Sequence, residues 1–342
     1  MVFIYFVIVL SITIMIHEFG HFLFAKKNNV YVYEFCLGMG PKIFSKKKDE
    51  TEYSIRLFPI GGFVSMAGED LEQDSKIKSD RQLCNKSWLV RFLTLIAGIL
   101  FNFFLAILLI FIIALINGVP NNKNIIGYID SSYPISNTNI KVGDKIKKIN
   151  NIKVNSYEML SLEMAVRNGE NITFTVLHEN GKTEDIKVSP LYDEKKDIYT
   201  YGISIDNSKQ KGFFKSIFYS FRQTINLSRQ MLKTLFYLIT GKLSIDNLSG
   251  PIGIYSIVGS AAASGFLSIL YLIAYLCINV AIINLIPFPA FDGGRILFLL
   301  IEKIKGSKVN PKIENVIHSV GFILLMIFMI YISYHDILRN FK

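Results

Sequence analysis

The feature that most limits the fold of this chain is a set of four long apolar runs, at residues 2–25, 89–117, 266–289 and 316–336. Each run is long enough to cross a hydrocarbon core, which takes about 20 apolar residues in a helix. With 51% hydrophobic and 19% charged residues, the composition excludes a disordered chain, a collagen and a coiled coil. The sequence therefore predicts a polytopic α-helical membrane protein with about four transmembrane helices.

Basic residues in the short connections predict how these spans are oriented. The segment 26–88 carries eleven Lys and Arg residues, and the connection after the third span carries five more between residues 290 and 315. Such short basic connections stay in the cytoplasm. Both termini and the long middle segment are then extracytoplasmic. Because basic loops beside lipid account for the net charge of +10, no nucleic-acid partner is expected.

The first run is predicted to be a retained anchor in a cell membrane. No basic residue precedes it, whereas Lys26 and Lys27 follow it, and no cleavage motif of small residues closes it.

Residues 118–195 differ from the spans and predict a small inserted α+β domain. Short strand patterns surround a helix-like segment at 156–168, and Glu179-Asn180-Gly181 is a hairpin turn signal. The string from Ile140 to Val154 resembles the pattern of PDZ domains, with departures at Asn139-Ile140 and Asn151. A PDZ domain binds peptides by adding a strand to a sheet edge, so a peptide ligand is one expectation. A structural domain without a ligand is the alternative.

After this domain, residues 209–248 predict an amphipathic helix lying on the membrane surface. Apolar residues recur at helical spacing, with Arg222, Arg229 and Lys233 between them. A fifth, partial span is the alternative.

The chemistry is indicated by His17-Glu18-Phe19-Gly20-His21 inside the first span. Histidines at i and i+4 project from one helical face, so their rings can converge on one zinc ion. Glu18 then stands beside the metal as a general base. Ionisable groups in an apolar span are costly and are functional by default, although a pair of interior histidines bonded to neighbouring helices is the alternative.

Asp292 is the best candidate for a third ligand, because catalytic zinc usually has three protein ligands. By the predicted topology, the first span ends just after His21 and the third span ends just before Asp292, both at the cytoplasmic side. Pro287 and Pro289 must break the helix, and irregular backbone at that depth is expected to line a cavity. A helix cap or a partner for Arg295 is the alternative role for Asp292.

Together these motifs resemble the bacterial branch of the site-2 protease family, which are intramembrane zinc metalloproteases. The resemblance runs in order along nearly the whole chain. Its motifs are the following segments: His17–His21, Gly38–Pro41, Pro59–Met66, Ala97–Phe103, the single PDZ-like domain, Leu248–Ile254 and Asn284–Arg295. One departure is Phe291, where the family usually has Leu before the Asp.

The resemblance implies roles for individual residues. His17, His21 and Asp292 would hold Zn²⁺, and Glu18 would activate water. A membrane re-entrant β-hairpin at about 53–66 would present the substrate as an extended strand through residues Ile60, Gly61, Gly62, Phe63 and Val64. Asn279 and Asn284 would contact the unwound backbone of the substrate.

The implied function is hydrolysis of peptide bonds within the transmembrane segments of single-span membrane proteins. Anti-sigma factors and remnants of cleaved signal peptides would be the substrates, and the PDZ-like domain would act as a size filter. A membrane-anchored PDZ scaffold without activity is the alternative, and a metal transporter is a third reading.

Overall fold

The structure is a computed structural model in which residues 1–70, 73–121, 123–193, 198–245, 248 and 250–340 are described. The chain divides into two compact units. The first unit contains residues 1–110 and 245–342, and the second contains residues 111–244. Several residues of the predicted ranges are outside the described residues: 71–72 of the range 26–88, 122 and 194–195 of the range 118–195, 246–247 of the range 209–248, and Ser249 of the Leu248–Ile254 motif.

Eight α-helices are described. They are α1 (Val2–Lys27), α2 (Trp88–Asn117), α3 (Tyr157–Val166), α4 (Phe213–Ile239), α5 (Pro251–Ala263), α6 (Phe266–Leu285), α7 (Asp292–Lys305) and α8 (Pro311–Asn340).

The described strands are twelve, and most of them are short. They are β1 (Val32–Lys48), β2 (Thr51–Met66), β3 (Val119–Pro120), β4 (Ile126–Ile129), β5 (Lys145–Ile149), β6 (Ile152–Lys153), β7 (Ile172–Leu177), β8 (Thr183–Val188), β9 (Leu191–Asp193), β10 (Ile198–Thr200), β11 (Ile203–Ile205) and β12 (Lys209–Gln210).

Four of the described helices, α1, α2, α6 and α8, are long and apolar enough to cross a membrane. They correspond to the four apolar runs of the sequence, so the protein is a membrane protein with helical spans. Helix α6 ends at Leu285, four residues before the predicted end at 289, because Pro287 and Pro289 cannot continue it. Helix α4 is not among the four, which leaves the partial fifth span without support in the described chain.

In the first unit, β1 and β2 pair with each other in one sheet that is larger than the predicted hairpin at 53–66. Each strand bends, so that Cys36 pairs with both Ser54 and Phe63. Residues 62–66 therefore form an edge of this sheet, with residues 32–37 on their inner side. The sheet packs on α1 through a buried cluster of apolar side chains: Phe22, Ala25, Val30, Val32, Val64, Met66 and Leu83.

Helix α7 begins at Asp292 and is held against the start of α2. The indole N–H of Trp88 donates to the carbonyl of Leu299 at 2.7 Å. Arg91 donates to both carboxylate oxygens of Glu302, at 2.7 and 2.8 Å. Both bonds come from Nη1 of Arg91, and since Arg91 is only 6% exposed, this charge-assisted contact is buried and holds α7 beside α2.

The second unit contains the predicted α+β domain and the amphipathic helix. Strands β6, β5, β7 and β8 form a four-stranded antiparallel sheet in that order, and β4 pairs separately with β11. The predicted helix at 156–168 is α3, which Ser156 caps by accepting from the N–H of Met159. Asn150 and Asn151 both have positive φ, so the turn that tolerates Asn for Gly is present as expected.

Candidate metal centre

Helix α1 carries two histidines one turn apart on a buried face. His17 is 6% exposed and His21 is 5% exposed, and their Nε2 atoms lie 3.2 Å apart. The spacing of four residues places both rings over one turn of the helix, as the sequence predicts.

The loop between α6 and α7 brings Asp292 to these histidines. Its Oδ2 atom lies 3.1 Å from His17 Nε2 and 3.3 Å from His21 Nε2. Gly293 and Gly294 are needed for this turn, because a Cβ atom would lie 2.2 Å from the Ile286 oxygen or 2.5 Å from the Phe288 oxygen. The ion pairs of Arg295 are to Glu69 at 2.9 Å and to Asp70 at 3.5 Å, which disfavours the alternative of an Asp292–Arg295 pair.

The three ligand atoms fit one zinc ion. Ligand atoms about 2.0 Å from a tetrahedral ion stand about 3.3 Å apart, which agrees with the separations here. Oδ2 of Asp292 finds no hydrogen-bond donor within the described part of the chain, although it is buried. No other group of three His, Cys, Asp or Glu residues with this spacing occurs among the described residues.

Helix α2 supplies the partners that orient the histidine rings. Nδ1 of His21 lies 2.8 Å from the carbonyl oxygen of Thr94, so that Nδ1 must carry the proton and Nε2 keeps its lone pair for the metal. Asn102 is fully buried, with its amide 3.5 Å from Nδ1 of His17.

One of the two orientations of the Asn102 amide supports the same tautomer at His17. As assigned, its Nδ2 faces the ring, and its Oδ1 has no partner among the described residues. Rotating the amide by 180° places Oδ1 where Nδ2 was, and Oδ1 then accepts from His17 Nδ1–H. Both histidines then present Nε2 to Asp292.

Glycines allow α1 and α2 to approach closely enough for these contacts. A Cβ on Gly20 would lie 2.5 Å from the Ala97 oxygen, and a Cβ on Gly98 would lie 2.4 Å from His21 Nε2. Thr94, Gly98 and Asn102 are one turn apart in succession, so they share the face of α2 that contacts the histidines.

Glu18 lies next to the ligand set and contacts the sheet edge. Its Oε2 accepts the backbone N–H of Val64 at 3.1 Å. Val64 pairs with Phe35 of β1 on its inner side, so this N–H points outward from the edge of the sheet. The general-base candidate is thereby placed where an added strand would lie.

A cavity of about 250 Å³ opens at these groups. Its lining residues include His17, Glu18, His21, Asp292 and, among the predicted substrate residues, Val64 and Asn284. Asn279, Gly61, Gly62 and Phe63 are not among the lining residues that the structure describes, and the side chain of Ile60 is outside the description. Oδ1 of Asn279 is buried without a partner in the described chain.

A second cavity, of about 320 Å³, shares Glu69 with the first. All of its described lining residues carry polar side chains: Glu69, Asp70, Arg295, Glu314, Asn315, His318 and Ser319.

The remaining histidines have other surroundings. His178 pairs with Asp144 at 2.9 Å in the second unit, and His335 packs against the rings of Tyr331 and Tyr334. His318 accepts the backbone N–H of Ala290 at 3.1 Å and so supports the loop that carries Asp292. Sequence reasoning missed this support and also Thr94, whose contact is through its backbone. For Asn102 a signal existed, since a polar residue within an apolar span is uncommon.

Comparison with known proteins finds similarity to zinc metalloproteases. The model of peptidase family M50 matches residues 5–328. A Clostridium acetobutylicum protein provisionally named a zinc metalloprotease is 36% identical over 331 residues, covering 97% of this chain and 96% of that protein. The zinc metalloprotease RasP of Oceanobacillus iheyensis is 32% identical, and the regulator of sigma-W protease RasP of Bacillus subtilis is 31% identical; in each case 98% of both chains is covered.

Proposed function

The chain belongs to peptidase family M50 and is a zinc metalloprotease, and we propose that it hydrolyses peptide bonds within the membrane-spanning segments of single-span proteins. The observation that carries this proposal is the convergence of His17 Nε2, His21 Nε2 and Asp292 Oδ2 beside Glu18, on a helix long and apolar enough to span a membrane. His17, His21 and Asp292 are the proposed zinc ligands.

The chemistry follows from the groups around the cavity. Bound zinc supplies a Lewis acid that polarises a carbonyl and makes water more acidic. Glu18 is the proposed general base, which takes a proton from the attacking water and delivers it to the leaving nitrogen. Thr94 and Asn102 keep the histidine rings in the tautomer that leaves Nε2 free. The polar cavity that shares Glu69 with the site is the proposed route for water.

The edge of the first unit's sheet is proposed to hold the substrate. A substrate helix hides its carbonyls in internal hydrogen bonds, so it must unwind before hydrolysis, and lipid offers no replacement partners. The edge at residues 62–66 offers outward backbone groups to an extended peptide beside Glu18. In this proposal β1 and β2 enter the membrane, residues 60–64 align the strand, and Asn279 and Asn284 contact its backbone.

The second unit is proposed to be an extracytoplasmic PDZ domain that restricts access by size, with both termini on the same side and the catalytic cavity towards the cytoplasm. Basic connections support this orientation. The relative named as a regulator of sigma-W protease supports anti-sigma factors as one substrate class. Remnants of cleaved signal peptides are the other proposed class.

The test joins metal content to the position of cleavage. Purified full-length protein should hold about one zinc per chain, which His17→Ala and Asp292→Ala should lose or loosen, while the control His335→Ala should keep it. With a reconstituted single-span substrate, mass spectrometry of the products should place the cut inside the apolar segment. Cuts confined to residues outside that segment would contradict intramembrane hydrolysis, and zinc retained in both ligand variants would contradict the assigned site.

A further inference from the structure

The second unit contains a pocket of about 320 Å³ whose charge is entirely positive among the residues that line it. Among the described residues, six cationic side chains form its walls, together with Val154 and Asn155. They are Lys123, Lys145, Lys147, Lys148, Lys153 and Arg222. Within the described chain, none of the six has a carboxylate within ion-pair distance; the ion pairs found there involve other residues.

The fold holds these cations together despite their repulsion. Lys148 of β5 is paired directly opposite Lys153 of β6, an arrangement that destabilises a sheet. Asn124, which is 1% exposed, donates to the carbonyl of Val154 at 2.8 Å and so holds the neighbouring Lys123 at the pocket. Six uncompensated cations on rigid backbone create a strong local potential that attracts an anionic ligand.

Helix α4 contributes Arg222 to this pocket and exposes an apolar stripe beside it. Phe214 and Phe218 are 73% and 74% exposed, and the stripe continues along the same face with Phe221, Ile225, Leu232, Phe236 and Ile239. The polar face is the one that is buried. There Gln223 donates to Glu158 at 2.7 Å, and the Tyr237 hydroxyl donates to Glu163 at 2.8 Å.

The start of α4 lies at the end of a membrane span. The ring of Phe213 lies 5.6 Å from the ring of Phe111, which belongs to α2. In addition, β3, directly after α2, pairs with β12, directly before α4. The exposed stripe thus begins beside the last turns of α2, and aromatic residues are favoured at the interfaces of a membrane.

Because the stripe begins beside the end of α2 and the pocket is positively charged, we propose that the second unit docks on the bilayer surface. The α4 stripe would lie in the membrane interface, and anionic lipid headgroups would occupy the pocket. Arg222 links the two parts, since it lies on the helix that carries the stripe and also forms a wall of the pocket. The phosphate of an acidic phospholipid is the ligand chemistry that six cations and an adjacent apolar stripe both fit. This inference goes beyond the proposed proteolytic function and does not depend on it.

The test uses the full-length protein in nanodiscs of phosphatidylcholine alone or with added phosphatidylglycerol. Hydrogen exchange is followed in peptides covering 145–154 and 213–239. Phosphatidylglycerol should slow exchange in both regions, and high salt should reverse the effect because it screens the charges. Since each cation near an anionic surface changes affinity about fivefold, Lys148→Gln/Lys153→Gln should weaken docking by roughly 25-fold.

A matched control removes the same charge elsewhere on the unit. Lys182 directly precedes β8 and Lys187 lies on it, and β8 is at the opposite edge of the sheet from β6. The double variant Lys182→Gln/Lys187→Gln should therefore keep the lipid effect. The proposal would be overturned if hydrogen exchange were the same with and without phosphatidylglycerol, or if both double variants responded equally to this lipid. Equal protection by inorganic phosphate or by an acidic peptide in phosphatidylcholine nanodiscs would also overturn it, because either would assign the pocket to a soluble anion.

Discussion

The contact between Gly98 and the two histidines leads to a quantitative prediction for Gly98→Ala. The added Cβ would lie 2.4 Å from His21 Nε2, 2.8 Å from His21 Cε1 and 2.9 Å from His17 Cε1. Ordinary contacts of this kind are about 3.5 Å, so the rings must move by about 1 Å. Such a displacement of catalytic groups lowers kcat/KM about 100-fold, equivalent to about 2.7 kcal/mol of transition-state stabilisation. We expect zinc affinity to fall about 10- to 100-fold, as after loss of a group that orients a ligand.

The assay compares zinc retention against a chelator with turnover of a single-span substrate. Gly259→Ala on α5 is the matched control, because the nearest atom to its Cβ would be Val2 Cγ1 at an ordinary 3.4 Å. That change should be neutral, or stabilising by about 0.5–1 kcal/mol. If Gly98→Ala had the same zinc affinity and turnover as Gly259→Ala, the close approach of α2 to the proposed metal ligands would be refuted.

Three further predictions address the base, the ring orientation and the second unit. Glu18→Gln should keep zinc and reduce turnover by about 10²- to 10⁴-fold, so wild-type turnover would exclude it as the base. Asn102→Ala should weaken zinc binding about 10- to 100-fold in chelator competition, and unchanged affinity would show that His17 does not need its amide. Glu163→Ala should destabilise the second unit by about 3–5 kcal/mol, because it leaves Lys233 without its buried partner. Burial raises the pKa of Glu163, but hydrogen bonds led by Lys233 bring it below its ordinary value. Its contribution to stability is therefore complete above the ordinary carboxyl pKa and is lost as the pH falls through the lowered one. Hydrogen exchange of α3 and α4 should show the wild-type advantage shrinking on acidification, and a difference independent of pH would contradict this origin.

Several parts of the fold and the site were predictable because their signals are local. Apolar length alone predicts α1, α2, α6 and α8, since a span needs a continuous run of about 20 residues. The spacing of His17 and His21 predicts a shared helix face, and Asp292 follows from matching the depths at which two spans end. The prolines after Leu285 likewise predict where α6 stops.

Other parts depend on contacts between distant segments. The segment 53–66, which is predicted as a hairpin, pairs with β1. No local pattern indicates these pairings. The sequence does not predict α5, and it indicates only a basic connection in the region of α7. Helix α4 shows the same limit, because its periodicity predicts two faces but not that the polar face is the buried one. That choice depends on Glu158 and Glu163 of α3, which satisfy its polar groups.

The sequence by itself predicts the four apolar helices, the proposed ligands and the metalloprotease chemistry, because hydrophobic length and helical spacing act within one element. Only the tertiary structure decided how the ligands are held. The Thr94 carbonyl that orients His21 is 73 residues away, and the Asn102 amide beside His17 is 85 residues away. The same is true of the basic pocket, where Lys123 and Arg222 join lysines of β5 and β6. A ring's tautomer and a cluster's potential depend on which atoms face each other, and only packing between distant segments brings those atoms together.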